Sequence, residues 1–330
     1  MTCVTAGVSL PRDYSHLYSN ALIWNQTMNI LDGKVIVVTG AGGGVGKAIA
    51  VEAARQGAKV VVNDIGVQLD GSGGSAGPAQ QTANEIREAG GIACANTDSV
   101  AQWASAQKIV QQALDLHGRI DGVVNNAGNL RDVIFHKMTE EDFDAVIAVH
   151  LNGSWNVSRA AAPHFKTQQG GSMVHMTSTS GLIGNLGQVN YCAAKMGIVG
   201  MSKAIALDME RFGVRSNCLA PFAYTRFVSS IPTDTPEGAE RARVNMRLEA
   251  AKIAPFTLAL LSDAASHVTG QIFGVRNNEI YLFSQPRPIR SAHDGTGWTV
   301  QTCIERAIPM LQGSFFPLDK SRDVFTWDPV

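Results

Sequence analysis

A phenol and an ammonium stand four positions apart in NYCAAKMGIVG, residues 190–200, where Tyr191 and Lys195 are set in an otherwise small and apolar segment. On a helix, positions i and i+4 share a face, so both polar heads would reach the same small volume. A cation beside a phenol favours the phenolate and lowers a pKa that is ordinarily about 10. The expectation is a Tyr191 that gives and takes a proton near neutral pH. The same spacing also fits a half-buried Tyr beside a surface Lys, so the pair needs support from the rest of the chain.

A second group of residues has the makings of a phosphate cradle. TGAGGGVG (39–46) follows the β-branched run KVIVVTG and precedes a helical stretch. Backbone amides and the helix dipole at such a junction favour a pyrophosphate, and glycines let the backbone approach it. The spacing is T-G-x-x-x-G-x-G, through Thr39, Gly40, Gly44 and Gly46, and Val45 occupies the third glycine position of G-x-G-x-x-G counted from Gly40. A tight turn alone would also use these glycines. Asp64 ends the next β-branched run, where a carboxylate can accept hydrogen bonds from ribose hydroxyls and repel a 2'-phosphate, which favours NAD over NADP. Its alternative role is to cap a loop. Asp98, after a third strand, is placed to reach the adenine, and NNAG (125–128), with Asn126 and Gly128, lines the cofactor path after a fourth.

The elements that must position these groups alternate. Strands are expected at 34–40, 59–64, 91–97, 120–128 and 172–178, and one more lies within 270–283; helices are expected at 46–58, 79–89, 101–116, 139–167 and 189–212. Continuous apolar strands alternating with helices imply a parallel sheet covered on both faces, a doubly wound Rossmann domain of the α/β class. It spans 32–283 and includes a candidate lid at about 222–254. Residues 1–31 form a short N-terminal extension, with Met28 a candidate translation start, and 284–330 form a longer, aromatic-rich C-terminal extension that packs on its own subunit or a neighbour. DGSGGSAG (70–77) reads as a flexible loop.

Composition narrows the partners. The chain has 330 residues, 45% hydrophobic and 17% charged, with a net charge of -1. A globular core is available, and no basic field draws nucleic acid or an anionic membrane. The five cysteines are dispersed and no metal-ligand pattern occurs, so neither a disulfide framework nor a metal site is expected. Without a membrane-length apolar run or a secretory signal, the expectation is a cytoplasmic protein acting on a small molecule.

With these motifs in this order, followed by a serine strand, YCAAK and VRSNCLAP (214–221), the chain closely resembles the short-chain dehydrogenase/reductase family over about residues 31–283. The resemblance implies NAD-linked interconversion of a secondary alcohol and a ketone. Ser178, 13 positions before Tyr191, would hold the substrate oxygen; taken alone it is equally a strand-end cap. Tyr191 would be the acid/base, and Lys195 would bind the nicotinamide ribose and keep the Tyr pKa low. Where the family has Asn in V-N-L-x-G, this chain reads VHLNGS and places His150. Two readings stand for it: a proton relay, or a core histidine satisfied by backbone. Asn152 is expected to face the other way. PFAYT (221–225) replaces the family's Pro-Gly, with Thr225 a further cofactor contact, and a homotetramer or homodimer is implied through helices 139–167 and 189–212.

Within the family, the motifs look most like the (3R)-hydroxyacyl-CoA dehydrogenase part of multifunctional β-oxidation enzymes, some of which oxidise 17β-hydroxysteroids. A 3-hydroxyacyl-CoA is the expected substrate. Arginines at 226, 241, 243, 247, 276, 287 and 290 would then contact CoA phosphates or face solvent. A free secondary alcohol, such as a steroid, is the alternative, and a catalytically silent NAD-binding protein is a third reading.

Overall fold

The structure is a computed structural model that describes residues 29–68, 70–223, 235, 243 and 247–330. Met28 and the segment before it, Thr225 and most of the candidate lid lie outside the described residues. The strands are β1 (Val35–Thr39), β2 (Lys59–Asn63), β3 (Ile92–Asn96), β4 (Gly122–Asn125), β5 (Gly171–Met176), β6 (Val214–Phe222), β7 (Ile272–Arg276) and β8 (Glu279–Leu282). They form one sheet in the order β3, β2, β1, β4, β5, β6, β7, β8. Pairing is parallel from β3 through β7, and only β8 runs antiparallel to β7.

The expected single strand within 270–283 is therefore a hairpin. Asn277 takes φ 54° between β7 and β8, a left-handed conformation that Asn tolerates better than most residues.

Helices cover both faces. α1 (Gly44–Arg55), α2 (Gly77–Glu88) and α8 (Ala254–Leu261) lie on one side, with α3 (Trp103–His117) and α5 (Gly153–Gln168) on the other. The pleat explains the division: Ile36 and Val38 of β1 enter the first core, while Val35 and Val37 enter the second with Ile109, Val157 and Phe165. Side chains buried on both faces are the reason the strands read as unbroken apolar runs.

One expected helix, 139–167, is interrupted. α4 (Glu140–Ile147) passes into α5 through a π-helical turn at Ala148–Asn152, one of the wide turns that often mark functional positions. The other expected long helix is α7 (Val189–Met209), preceded by a single turn, α6 (Thr179–Leu182).

Arg215 of β6 is buried and donates to the carbonyls of Leu260, Leu261, Ser262 and Ala265, so it caps the C-terminal end of α8. The C-terminal segment packs on its own chain. Phe325 meets Phe222 edge-on at 4.8 Å and Tyr281 at 5.3 Å, and the Ser321 amide donates to the Gly184 carbonyl at 3.0 Å. No described helix is long and apolar enough to cross a membrane.

Candidate active site

In an open α/β sheet, ligands meet the C-terminal ends of the strands where the strand order reverses. Here that crevice lies between β1 and β4, and the glycine loop leaves β1 at its edge.

The loop is built around missing side chains. Gly40 and Gly44 take φ 64° and 54°. A Cβ on Gly46 would lie 2.2 Å from the Gly40 carbonyl oxygen and 2.5 Å from the Asn126 amide nitrogen, so α1 approaches the loop as closely as backbone allows. Gly43 differs: its φ is -167°, and nothing lies within 4 Å of a Cβ placed there. α1 has no side-chain cap and no acid in its first turn, which leaves that end suited to an anion.

Thr39 and Asn126 hold the cradle together. The Thr39 hydroxyl accepts from the amides of Asn126 and Ala127, at 3.0 and 3.1 Å. The Asn126 side chain donates to the carbonyls of Thr39 and Gly40, at 2.9 and 3.0 Å. Both therefore shape the loop by tying β1 to β4. The Asp64 carboxylate accepts from the amides of Gly42 at 2.8 Å and Gly66 at 2.7 Å. It caps this loop and stands beside the glycine loop. Asp98 lies farther along the same edge, held by Asn96 at 3.0 Å and Ser105 at 3.2 Å.

Ser178, Tyr191 and Lys195 converge beyond the end of β5. Ser178 is the N-cap of α6, and its hydroxyl accepts from the Ser180 amide at 3.1 Å and exerts a downward pull on the Tyr191 phenol. Lys195 is buried one helical turn from Tyr191, its Nζ 5.4 Å from the ring centre and donating to the Met176 carbonyl at 2.6 Å. Tight packing fixes the arrangement, because a Cβ on Gly181 would lie 2.9 Å from Lys195 Cβ.

The electrostatics differ from the expectation in one respect. Burial pushes the Tyr191 phenol up to about 12, against a downward pull from Ser178, with Asp132 and Cys192 adding to the rise. Burial likewise brings Lys195 down to about 7. The sequence shows a cation beside the phenol, but not that this cation has lost its own solvation. Without that, it does not hold the phenol low.

His150 lies 5.2 Å from the Tyr191 ring, edge-on, and is 3% exposed. Its Nε2 stands 3.1 Å from the Asn129 amide and 2.8 Å from the Asn129 carbonyl, one of which it engages according to tautomer. Nδ1 is buried with no partner. Burial and the nearby Lys195 hold the imidazole well below its usual pKa, so it is neutral. Backbone thus satisfies only half of it. Gly128 makes room for the ring, since a Cβ there would lie 2.4 Å from His150 Cε1. Asn152 is exposed, as the reading of VHLNGS expects.

Asn129, Asp132, Gln188 and Asn190 were not among the expected site residues. Asn129 carries the His150 contact, and the other three join the loop after β4 to the start of α7. Asn129 directly follows NNAG, a signal that was available.

Of the arginines assigned to CoA, Arg226 and Arg241 lie outside the described residues, and several of the others are engaged within the chain. Arg276 is 5% exposed and bound to Glu279 and the Trp327 carbonyl, which removes it from the set. Arg247 pairs with Asp328 at 2.9 Å, and Arg290 donates to the Ser314 hydroxyl. No metal-ligating cluster occurs among the described residues.

Residues 34–234 match the family model described as short chain dehydrogenase. The chain is 38% identical over 277 residues to a hydroxyacyl-CoA dehydrogenase, ChsB1, of Mycobacterium tuberculosis, covering 81% of this chain and 85% of that protein. It is 46% identical over 198 residues to the peroxisomal hydratase-dehydrogenase-epimerase of Saccharomyces cerevisiae, covering 60% of this chain but only 22% of that much longer enzyme. A crystal structure of a short chain dehydrogenase from Mycobacterium avium superposes with a TM-score of 0.76 at 36% identity, covering 87% of this chain and 98% of that one. The crevice between β1 and β4 and the Ser178, Tyr191 and Lys195 cluster are thus set in a chain that belongs to the short-chain dehydrogenase family.

Proposed function

We propose that the protein is an NAD-dependent dehydrogenase that interconverts a 3-hydroxyacyl-CoA and its ketone. The observation that carries this reading is the convergence of Ser178, Tyr191 and Lys195 beside a glycine cradle flanked by Asp64. The dinucleotide fits that cradle: amides of Gly43, Gly44 and Val45 would meet its pyrophosphate, and Asp64 would accept from ribose hydroxyls and disfavour a 2'-phosphate. When bound, it supplies the nicotinamide ring that accepts or gives hydride.

The protein's own residues handle the proton and the substrate oxygen. Ser178 holds the carbinol oxygen beside Tyr191, and Tyr191 takes its proton in oxidation or returns it in reduction. Lys195, whose pKa lies near neutrality, stands behind Tyr191 as a nearby exchangeable proton site. His150 presents its unpartnered Nδ1 in the same pocket and serves the proton relay.

A free secondary alcohol is the second reading, favoured by the internal engagement of Arg247, Arg276 and Arg290. Reduced cofactor formation with (3R)-hydroxyacyl-CoAs and with free alcohols, including 17β-hydroxysteroids, separates the two. Turnover confined to the free alcohols would overturn the CoA reading. NADP used as well as NAD would overturn the role given to Asp64, and Tyr191→Phe at full rate would overturn the mechanism.

A further inference from the structure

The loop that follows β4 is fastened to the first turn of α7, the turn that carries Tyr191. Gln188, the residue before α7, donates through Nε2 to Asp132 Oδ2 at 2.7 Å in a part-buried hydrogen bond, and its own amide oxygen accepts from Asn185 at 3.0 Å. The Val133 amide donates to the Gly187 carbonyl at 2.9 Å. Asn190, fully buried, donates to the carbonyls of Arg131 and Asp142, each at 2.9 Å. Residues 131–133 and 187–190 thus form one clamp, and Tyr191 is the next residue along.

Five groups bear on Tyr191. His150 of the π turn meets its ring edge-on at 5.2 Å and Lys195 Nζ lies 5.4 Å from the ring centre, while Ser178 at the end of β5, Cys192 on α7 and Asp132 in the loop after β4 influence the ionisation of its phenol. His150 is neutral, and the Cys192 thiol, raised by burial, donates to the Ser180 carbonyl at 2.9 Å. Asp132 is therefore the carboxylate of the set, and a carboxylate opposes a second negative charge nearby.

The geometry points to Asp132 as a positioning residue for proton transfer: through Gln188 it fixes the helix turn that carries Tyr191, and its charge works against ionisation of the phenol. Its contribution to the high Tyr191 pKa is secondary to burial and has the same sign. The consequence is directional. A phenol kept protonated is ready to donate, which suits ketone reduction at neutral pH and defers alcohol oxidation to more alkaline conditions.

The test is Asp132→Asn, which keeps an oxygen for Gln188 and removes the charge. The expected result is a pH profile of kcat/KM for oxidation whose rising limb, set by loss of the Tyr191 proton, moves down by about half a pH unit, a gain of roughly threefold in rate at pH 7. A profile superimposable on wild type would overturn the charge role, because a purely structural contact leaves the ionisation where it was. Asp132→Glu keeps the charge on a longer arm, and the expected outcome is an unmoved profile with kcat reduced severalfold and little change in KM. Wild-type kcat in that variant would overturn the positioning role, even if Asp132→Asn does not fold. The inference rests on Tyr191 as the proton-transfer group. An active Tyr191→Phe enzyme sinks that reading itself, whereas an inactive one with an unshifted Asp132→Asn profile sinks only the role of Asp132.

Discussion

Gly43 and Gly46 lie three residues apart in one loop, yet the structure assigns alanine very different consequences at each. At Gly46 the added methyl would fall 2.2 Å from the Gly40 carbonyl oxygen and 2.5 Å from Asn126 Nδ2. The first contact is with backbone and cannot be relieved by a rotamer. Overpacking of this kind costs about 1 to 3 kcal/mol. Displacing the Asn126 amide also gives up its hydrogen bonds to Thr39 and Gly40, at about 1 kcal/mol each. Gly46→Ala should therefore lose about 3 to 5 kcal/mol and melt roughly 10 °C lower. At Gly43 the methyl meets nothing within 4 Å and the backbone is extended, so the cost is that of replacing a glycine N-cap, below about 1 kcal/mol. That methyl does enter the space in front of the α1 amides. Gly43→Ala should thus fold normally and bind NADH more weakly. Thermal melts of both variants and NADH fluorescence titration of Gly43→Ala are the assays. Equal melting temperatures for the two variants would refute the close-approach argument, and unchanged NADH affinity in Gly43→Ala would refute the placement of the pyrophosphate.

Three further outcomes follow from buried polar groups. Arg215→Met leaves the carbonyls at the end of α8 without their donor and should cost about 3 kcal/mol or more in urea unfolding. His175 is fully buried, with its pKa brought down to about 4, so the unfolded chain binds a proton there that the native protein does not; stability from this residue is lost as pH falls from about 6.5 to 4, by on the order of 3 kcal/mol, and denaturation across that range measures it. Lys195, lowered to about 7, has the same sign in a higher window: native stability rises between pH 7 and 10.5, and Lys195→Met should abolish that rise and melt higher than wild type at pH 6.

The parts of the site that are legible in the sequence are those whose logic is local. Tyr191 and Lys195 are one turn apart, and Thr39, Gly40, Gly44 and Gly46 occupy a single loop, so spacing alone locates them. Asp132 and Gln188 are 56 positions apart, and only the seating of one loop on another joins them. The Tyr191 pKa departs from expectation for a related reason: a sequence displays which charges are near in the chain, while the decisive quantity is how much water the fold removes. In the sheet, Asn277-Asn278 was the available sign that 270–283 turns back on itself, but the apolar residues on either side read as one run. The π turn at 148–152 has no such sign, because five residues in a wide turn look the same as five in an ordinary one.

That turn also sets the rotational phase of everything after it. Each residue advances an α-helix by about 100°, and the wide turn inserts a slip of that order between α4 and α5. α5 presents Val157, Ala161 and Phe165 to the core only with the slip in place. Deleting one residue from 148–152 to restore a regular helix would swing Phe165 from a fully buried position toward solvent and bring exposed neighbours inward. The wide turn that aims His150 is thus under a second constraint that has nothing to do with chemistry. A lineage could exchange the residue at 150, but it could not straighten the helix around it without rebuilding half of the core.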